Sequence, residues 1–343
     1  MPKKKKQRSR ASDEDGSRNV VPSRLPSADR IKRFARQFRV RPGTKVSLPG
    51  DFNPASTAGA RKGGQAAEQL LKQGVAFLAD YQSRLAADAK NAVLIILQAM
   101  DAAGKDGTIR HVMSGVNPQG VQVQSFKAPS TAELAHDYMW RYATRAPARG
   151  QIGIFNRSYY EEVLVVRVHP ELLSNQRLPT TAKLNGSNGY RELWNQRFDE
   201  INNYERYLAD NGVHIVKLFL NVSKEAQRKR FLARIDEPSR NWKFTTNDVR
   251  ERDYWDDYQA AFSDVLTHTS TPWAPWYVIP ADRKWFSRIA SAAAIANALI
   301  EIDPQYPTVS EETRASLQLS RRRLESEDAH APATTRRRGK VHA

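Results

Sequence analysis

The sequence predicts an α/β protein with a three-layer α/β/α architecture, in which a five-stranded parallel sheet carries helices on both faces. Three observations lead there. Short apolar runs rich in Val, Ile and Leu recur along the chain, which is how strands buried on both faces read. Between these runs the apolar residues shift to helical spacing, and strands alternating with helices argue for a parallel sheet. A stretch of small residues with glycine and lysine follows the first run at once, where such sheets hold ligands beyond the carboxyl ends of their strands.

Taken in order, Ala67, Leu70, Leu71, Val75 and Leu78 mark a first helix. Strands are expected at 92–97, 121–126, 151–155, 213–220 and 276–279. A long helix at 191–208 carries Leu193, Trp194, Phe198, Ile201 and Leu208 on one stripe. Helices at 222–235 and 285–302 follow the fourth and fifth strands. Residues 1–30, rich in Lys/Arg, Ser, Asp and Pro, read as a disordered basic tail. The folded domain is expected over 31–306, with a disordered basic tail at 307–343, of which 317–343 reads as a frayed helix and then a tail.

Composition narrows the function classes. The 343 residues contain no cysteine, which excludes disulfides, thiolate metal sites and a cysteine nucleophile. No apolar run approaches the roughly 20 residues that span a bilayer, and the lysines at 3–6 lack the apolar stretch of a secretory signal. A soluble, cytoplasmic protein is expected. The net charge of +17 sits mostly in the tails: residues 1–40 contribute +9 and residues 321–343 contribute +4. A mildly basic core argues for a local anion site and against a broad nucleic-acid face.

That site is expected at 99–108. Ala102, Ala103, Gly104 and Gly107 permit a tight turn whose amides face phosphate oxygens; Lys105 supplies the cation, and a helix N-terminus including Thr108 stands behind it. The match to G-x-x-x-x-G-K-[ST] is imperfect, with Ala99 for the first glycine and Asp106 for the hydroxyl residue. Asp101 is assigned to Mg²⁺ or acceptor positioning, with Asp106 as the alternative, since Mg²⁺ takes one or two carboxylates plus phosphate oxygens. A plain strand–turn–helix junction is the competing reading. After the third strand come Asn156, able to orient a metal-bound water, and Arg157, able to bridge two phosphates.

At this point the sequence resembles the polyphosphate kinase type-2 family. The likeness rests on 98–125, on Glu133-Leu-Ala-His-Asp-Tyr-Met-Trp-Arg141, on Gly153-Ile-Phe-Asn-Arg-Ser-Tyr-Tyr-Glu161 through His169, on Arg240-Asn-Trp-Lys-Phe244, on Trp255-Asp-Asp-Tyr258 and on 274–285. It implies a P-loop kinase fold of the thymidylate-kinase type with a helical lid. It implies Mg²⁺-dependent phosphoryl transfer between inorganic polyphosphate and nucleotides, and a homo-oligomer, dimer or tetramer. Asp101, Lys105, Asn156 and Arg157 match the family's motif residues. Asn156, with Glu161 as nucleotide contact, resembles the branch acting on nucleoside mono- and diphosphates, AMP and ADP with GMP and GDP as further acceptors. Ala99 and Tyr159 depart from that branch.

The lid is expected over 234–252, where Arg234, Arg240, Lys243 and Arg250 would shield developing charge and exclude water. Arg110, Lys127 and Arg141 are candidates for a longer cationic track. His111, His136 and His169 read as structural. The competing functions are an ATP-dependent nucleotide or small-molecule kinase on the same fold, and a binding module acting through its tails.

Overall fold

The computed structural model of the chain describes residues 28–62, 65–179 and 186–329. α1 (Ala28–Arg36) and α2 (Gln65–Asp88) lead into β1 (Ala92–Gln98). Next come α3 (Lys105–Val112), β2 (Val121–Ser125), the single turn α4 (Trp140–Ala143), β3 (Ile152–Asn156), the short α5 (Val165–Val168) and the long α6 (Gly186–Asp210). β4 (Val213–Asn221), α7 (Lys224–Asp236), α8 (Asn247–Arg250), α9 (Trp255–Thr269), β5 (Trp276–Pro280) and α10 (Lys284–Ile302) follow, and this first unit ends at Pro304. The second unit, Gln305–Ala343, contains α11 (Glu311–Ala329).

The five strands run parallel in the order β2-β3-β1-β4-β5. β1 is central, and all seven of its residues are buried, which is why its side chains are apolar without alternation. β4 and β5 are buried almost throughout. The stripe read on the long helix is the buried one: Leu193, Trp194, Phe198, Ile201 and Leu208 all lie in the core. Backbone bonds from Val40 N–H to Trp276 O (2.8 Å) and from Val278 N–H to Phe38 O (2.8 Å) lay residues 38–40 antiparallel along β5. One edge of the sheet is thereby capped.

Register places the site. Leu97 on β1 stands opposite Asn156 on β3. The loop after β1 and the turn after β3 therefore start level with each other on neighbouring strands.

Two boundary expectations change. Helix α1 begins at Ala28, inside the expected tail, because Ile31 and Ala35 are buried and Phe34 and Phe38 pack edge-on against Phe286. Residues 1–27 lie outside the described set. In the segment from 307, where a tail with a frayed helix from Leu317 is expected, the 19-residue α11 already begins at Glu311. Its start is capped by Ser310, whose hydroxyl accepts from Thr313 N–H at 3.2 Å, and Glu311 and Glu312 complement the helix dipole. Arg321 and Glu325 add a pair at four-residue spacing. Residues 330–343 lie outside the described set.

Candidate active site at the ends of the first and third strands

The turn after β1 is shaped by two left-handed residues, Ala102 at φ 58° and Gly104 at φ 111°. Gly104 occupies the cap position of α3 with no side chain to accept from the first-turn amides. Such amides are left for an anionic ligand, and the helix dipole favours negative charge there. Gly107 lies one turn in, and Thr108 is buried, its amide bonded to Gly104 O at 2.9 Å. Lys105 folds back so that its ammonium donates to Ala99 O at 2.9 Å. The interaction uses the backbone of residue 99, so alanine in place of glycine leaves it intact. Burial, followed by the nearby Arg157 cation, holds the Lys105 ammonium below the usual lysine range.

Arg157 begins the turn after β3 at φ 68°, a left-handed conformation that a non-glycine residue adopts at a cost of about 1–2 kcal/mol. Its amide donates to Leu97 O at 3.1 Å, and Gln98 on β1 donates to the Ser158 hydroxyl at 3.2 Å, which ties the two turns together. The Arg157 guanidinium lies between two carboxylates, 3.2 Å from Asp101 and 3.5 Å from Glu161. Glu161 is the first cause of the raised Arg157 pKa, while burial pushes the Glu161 carboxyl above the ordinary glutamate range. Asn156 donates to Asp106 at 3.0 Å and to the Ser125 hydroxyl at 3.4 Å. Its amide oxygen is buried with no protein partner, an acceptor held ready beside the Asp106 carboxylate.

Gln98, Asp101, Arg157, Glu161, Asp248 and Tyr258 are among the residues lining a cavity of about 280 Å³ beside the loop. Its far wall comes from the segment expected as a lid, which forms helical pieces: a 3-10 turn at Pro238–Lys243, then α8, then a 3-10 turn at Glu251–Tyr254. Arg234 lies 3.9 Å from Asp248, and Arg240 pairs with Glu237 at 3.0 Å. Arg250 is exposed, and the side chain of Lys243 lies outside the described set.

The expected cationic track is only partly assembled. Arg110 is exposed on α3. Arg141 is 9% exposed, and its guanidinium is committed to Lys127 O at 2.9 Å and to Glu133 at 3.2 Å, away from the phosphate loop. Lys127 is exposed on that side segment. A second cavity, about 590 Å³, borders Arg141 and the buried Arg197–Glu162 pair and contains no residue of the phosphate loop. The histidines behave as structural groups: His111 bonds Gly107 O at 2.7 Å, His169 meets Glu251 at 3.0 Å, and His136 stacks on Trp140.

Sequence reasoning missed Gln227, Arg230, Lys217 and Glu205. Gln227 and Arg230 bond to backbone carbonyls of the phosphate loop, and no residue-type pattern marks such contacts. It also missed Lys284 at the start of α10. Burial and the surrounding Arg230, Arg240, Arg288 and Arg234 cations hold the Lys284 ammonium below its usual range.

The family model of polyphosphate kinase 2 (PPK2) matches residues 62–307. The chain belongs to the polyphosphate kinase 2 family. It is 48% identical over 294 residues to an ADP-polyphosphate phosphotransferase of Rhodopseudomonas palustris, covering 86% of this chain and 99% of the relative. It is 41% identical over 272 residues to an AMP/ADP-polyphosphate phosphotransferase of Meiothermus ruber, covering 79% and 95%. Among solved structures, the polyphosphate kinase 2 of Arthrobacter aurescens TC1 superposes with a TM-score of 0.74 at 38% identity, covering 84% of this chain and 96% of that one. The five-stranded parallel sheet with its lysine-bearing loop is thus the P-loop kinase fold of the polyphosphate kinase 2 structures.

Proposed function

We propose that the protein transfers phosphoryl groups from inorganic polyphosphate to nucleotides, taking ADP to ATP and AMP to ADP, with guanine nucleotides as further acceptors. The observation that carries the reading is Arg157, held between Asp101 at the phosphate loop and Glu161 in the adjoining cavity. A guanidinium there can touch a donor phosphate on one side and an acceptor phosphate on the other. Phosphoryl transfer asks for in-line positioning and charge stabilisation more than covalent chemistry. Lys105, leaving its present partner Ala99 O, and the loop amides hold the transferring phosphate. Glu161 orients Arg157 and faces the nucleotide. Asn156 orients ligands through its free oxygen. Arg234, Arg240, Lys243 and Arg250 screen charge when the lid segment covers the donor, and Arg110 extends the donor path.

Phosphotransferases of this kind require a divalent metal, and the donor set here suits Mg²⁺. No cluster of three or more His, Cys, Asp or Glu able to hold a metal exists among the described residues. Mg²⁺ sites at phosphates need only one or two carboxylates, with phosphate oxygens and water completing the shell. Asp101 is the proposed ligand, with Asp106 beside the free Asn156 oxygen as the alternative. When bound, the ion neutralises phosphate charge.

Family resemblance supports a homo-oligomer, dimer or tetramer, which light scattering reads directly. A cytoplasmic setting is part of this proposal, as a compartment that supplies free nucleoside mono- and diphosphates. Among the described residues, no helix is long and apolar enough to cross a membrane.

The test is nucleotide formation from long-chain polyphosphate with Mg²⁺, offering AMP, ADP, GMP and GDP separately. Lys105→Ala is expected to lose at least about a hundredfold, roughly 2.7 kcal/mol of transition-state stabilisation. Conversion of AMP to ADP and then ATP by the wild type supports the dual-acceptor form. Polyphosphate inert with every acceptor, while ATP serves as donor, would keep the fold and overturn the donor assignment.

A further inference from the structure

Three consecutive carbonyls of the phosphate loop are turned onto one face of α7. Gln227, 2% exposed, donates from its amide nitrogen to Asp101 O at 2.9 Å. Arg230, three residues on, donates to Ala102 O at 2.9 Å and Ala103 O at 2.7 Å. The same guanidinium reaches Ala281 O and, at 3.1 Å, Asp282 O beyond β5. In a trans peptide the N–H points opposite to the C=O. Drawing these carbonyl dipoles toward α7 therefore turns the N–H groups of Ala102 and Gly104 away from it, the polarity a phosphate cradle needs, while the Ala103 N–H closes the turn onto Met100 O at 3.3 Å. Ala102 is left-handed at φ 58°, a conformation that persists only where surrounding bonds over-determine it.

The other end of Gln227 is also occupied. Its amide oxygen accepts from Arg252 at 2.6 Å, and the same guanidinium nitrogen donates to Lys224 O at 3.1 Å. Arg252 belongs to the 3-10 turn that closes the lid segment. The root of α7 is fixed independently: Ser223 N–H and Oγ donate to the Asp282 carboxylate, each at 2.8 Å. With the root pinned, Arg252 is the lid-borne member of this chain of bonds.

We propose that Arg252, Gln227 and Arg230 form a relay through which the lid segment sets the conformation of the phosphate loop. They are positioning residues: even Gln227, which lines the cavity beside the loop, has both ends of its amide committed to protein partners. The inference rests on the phosphoryl-transfer reading above. With Arg252 seated, the Gln227 amide is fixed at both ends and holds Asp101 O. With Arg252 withdrawn, the amide can rotate, Asp101 O is released, and the loop holds its phosphate loosely while water has access. Water then replaces the nucleotide oxygen as nucleophile. The bridging P–O bond breaks, and the products are orthophosphate and a chain one unit shorter, with the proton of water passing to solvent.

The test is a double-mutant cycle of Arg252→Met and Gln227→Met, measuring ATP formed and orthophosphate released from polyphosphate and ADP. Each single variant is expected to lose ~10- to 100-fold in kcat, the scale of a small misplacement of reacting groups. The KM for ADP is expected to stay within about twofold, and the fraction of phosphate lost to water to rise. The double variant is expected to match the more affected single variant, because both break one chain of bonds. Multiplicative losses, or an unchanged hydrolysis fraction, overturn the relay. Should Arg252→Met fail to fold, Arg252→Gln takes its place in the cycle, and Arg252→Lys, which keeps a cationic donor, is expected to retain most of the wild-type kcat and the low hydrolysis fraction. Absence of transfer by the wild type would instead sink the polyphosphate reading, and the same cycle run with ATP as donor would still read the relay.

Discussion

Arg157 gathers the electrostatics of the site, and its two carboxylate partners differ in surroundings. Burial holds the Glu161 carboxyl above the ordinary glutamate range, so it takes up a proton at a higher pH than a solvated glutamate would. As pH falls through that value Arg157 loses a partner, and transfer is expected to fall with it. Lys105 acts as a cation with a lowered pKa, so activity is expected to fall again as pH rises through a point below the usual lysine range. The kcat/KM profile should therefore be bell-shaped, and Glu161→Gln should remove the acid-side contribution while leaving the basic limb in place. An unchanged acid limb in that variant would assign it to the substrate phosphates. The gathering of Asp101, Lys105, Asn156 and Arg157 at two neighbouring turns was legible in the sequence because each sits at a fixed offset from the end of a strand; their catalytic roles are the proposal made above. Gln227 and Arg230 were not, because their partners are peptide carbonyls, which every position carries alike.

At the scale of elements, the turn after β3 is anchored by a buried ion pair far from solvent. Lys217 on β4 and Glu205 on α6 are both fully buried and bonded to each other. The Lys217 ammonium also donates to the Tyr160 hydroxyl and to Thr269 O, and both Tyr159 and Tyr160 donate to Glu205 at 2.9 Å. One network thus joins the strand, two helices and the residues that follow Arg157. Removing one partner strands a buried charge: Lys217→Met is expected to cost about 3–5 kcal/mol of unfolding free energy. The double variant Lys217→Met/Glu205→Leu is expected to recover part of that loss, and urea unfolding measures both. No recovery would mean that the tyrosine hydroxyls carry the cost. A lysine within an apolar strand and a glutamate on a long polar helix gave no sign of each other, since their separation of twelve residues matches no local period. The tyrosine at 159, a departure from the family branch, has a structural use here as a donor to Glu205.

At the scale of the whole molecule, every strand was legible to within a residue or two: burial on both faces makes β1, β3, β4 and β5 largely apolar, while the edge strand β2 reads as an alternation of Val and Gln. The ends were harder. Helix α11 has exposed leucines, Leu317, Leu319 and Leu324, among charges, and is held by caps and charge pairs that average out in composition. The first unit ends at Pro304, the family match over 62–307 falls almost wholly within it, and all the proposed site residues belong to it. A chain restricted to 28–304 is therefore expected to keep its kcat within about threefold, the scale of changes far from the reacting groups. Loss of turnover would show that the charged ends take part in catalysis and would revive the binding-module reading. The strip at 38–40 that lies along β5 has a further consequence, for self-association. With that side occupied, β2 is the edge at which a foreign strand can add. β2 is only five residues long, and its Val123 is 47% exposed. Aggregation on heating should nucleate there, and Val123→Lys, a gatekeeper charge on an open edge, should delay light scattering during a thermal ramp without changing the unfolding midpoint.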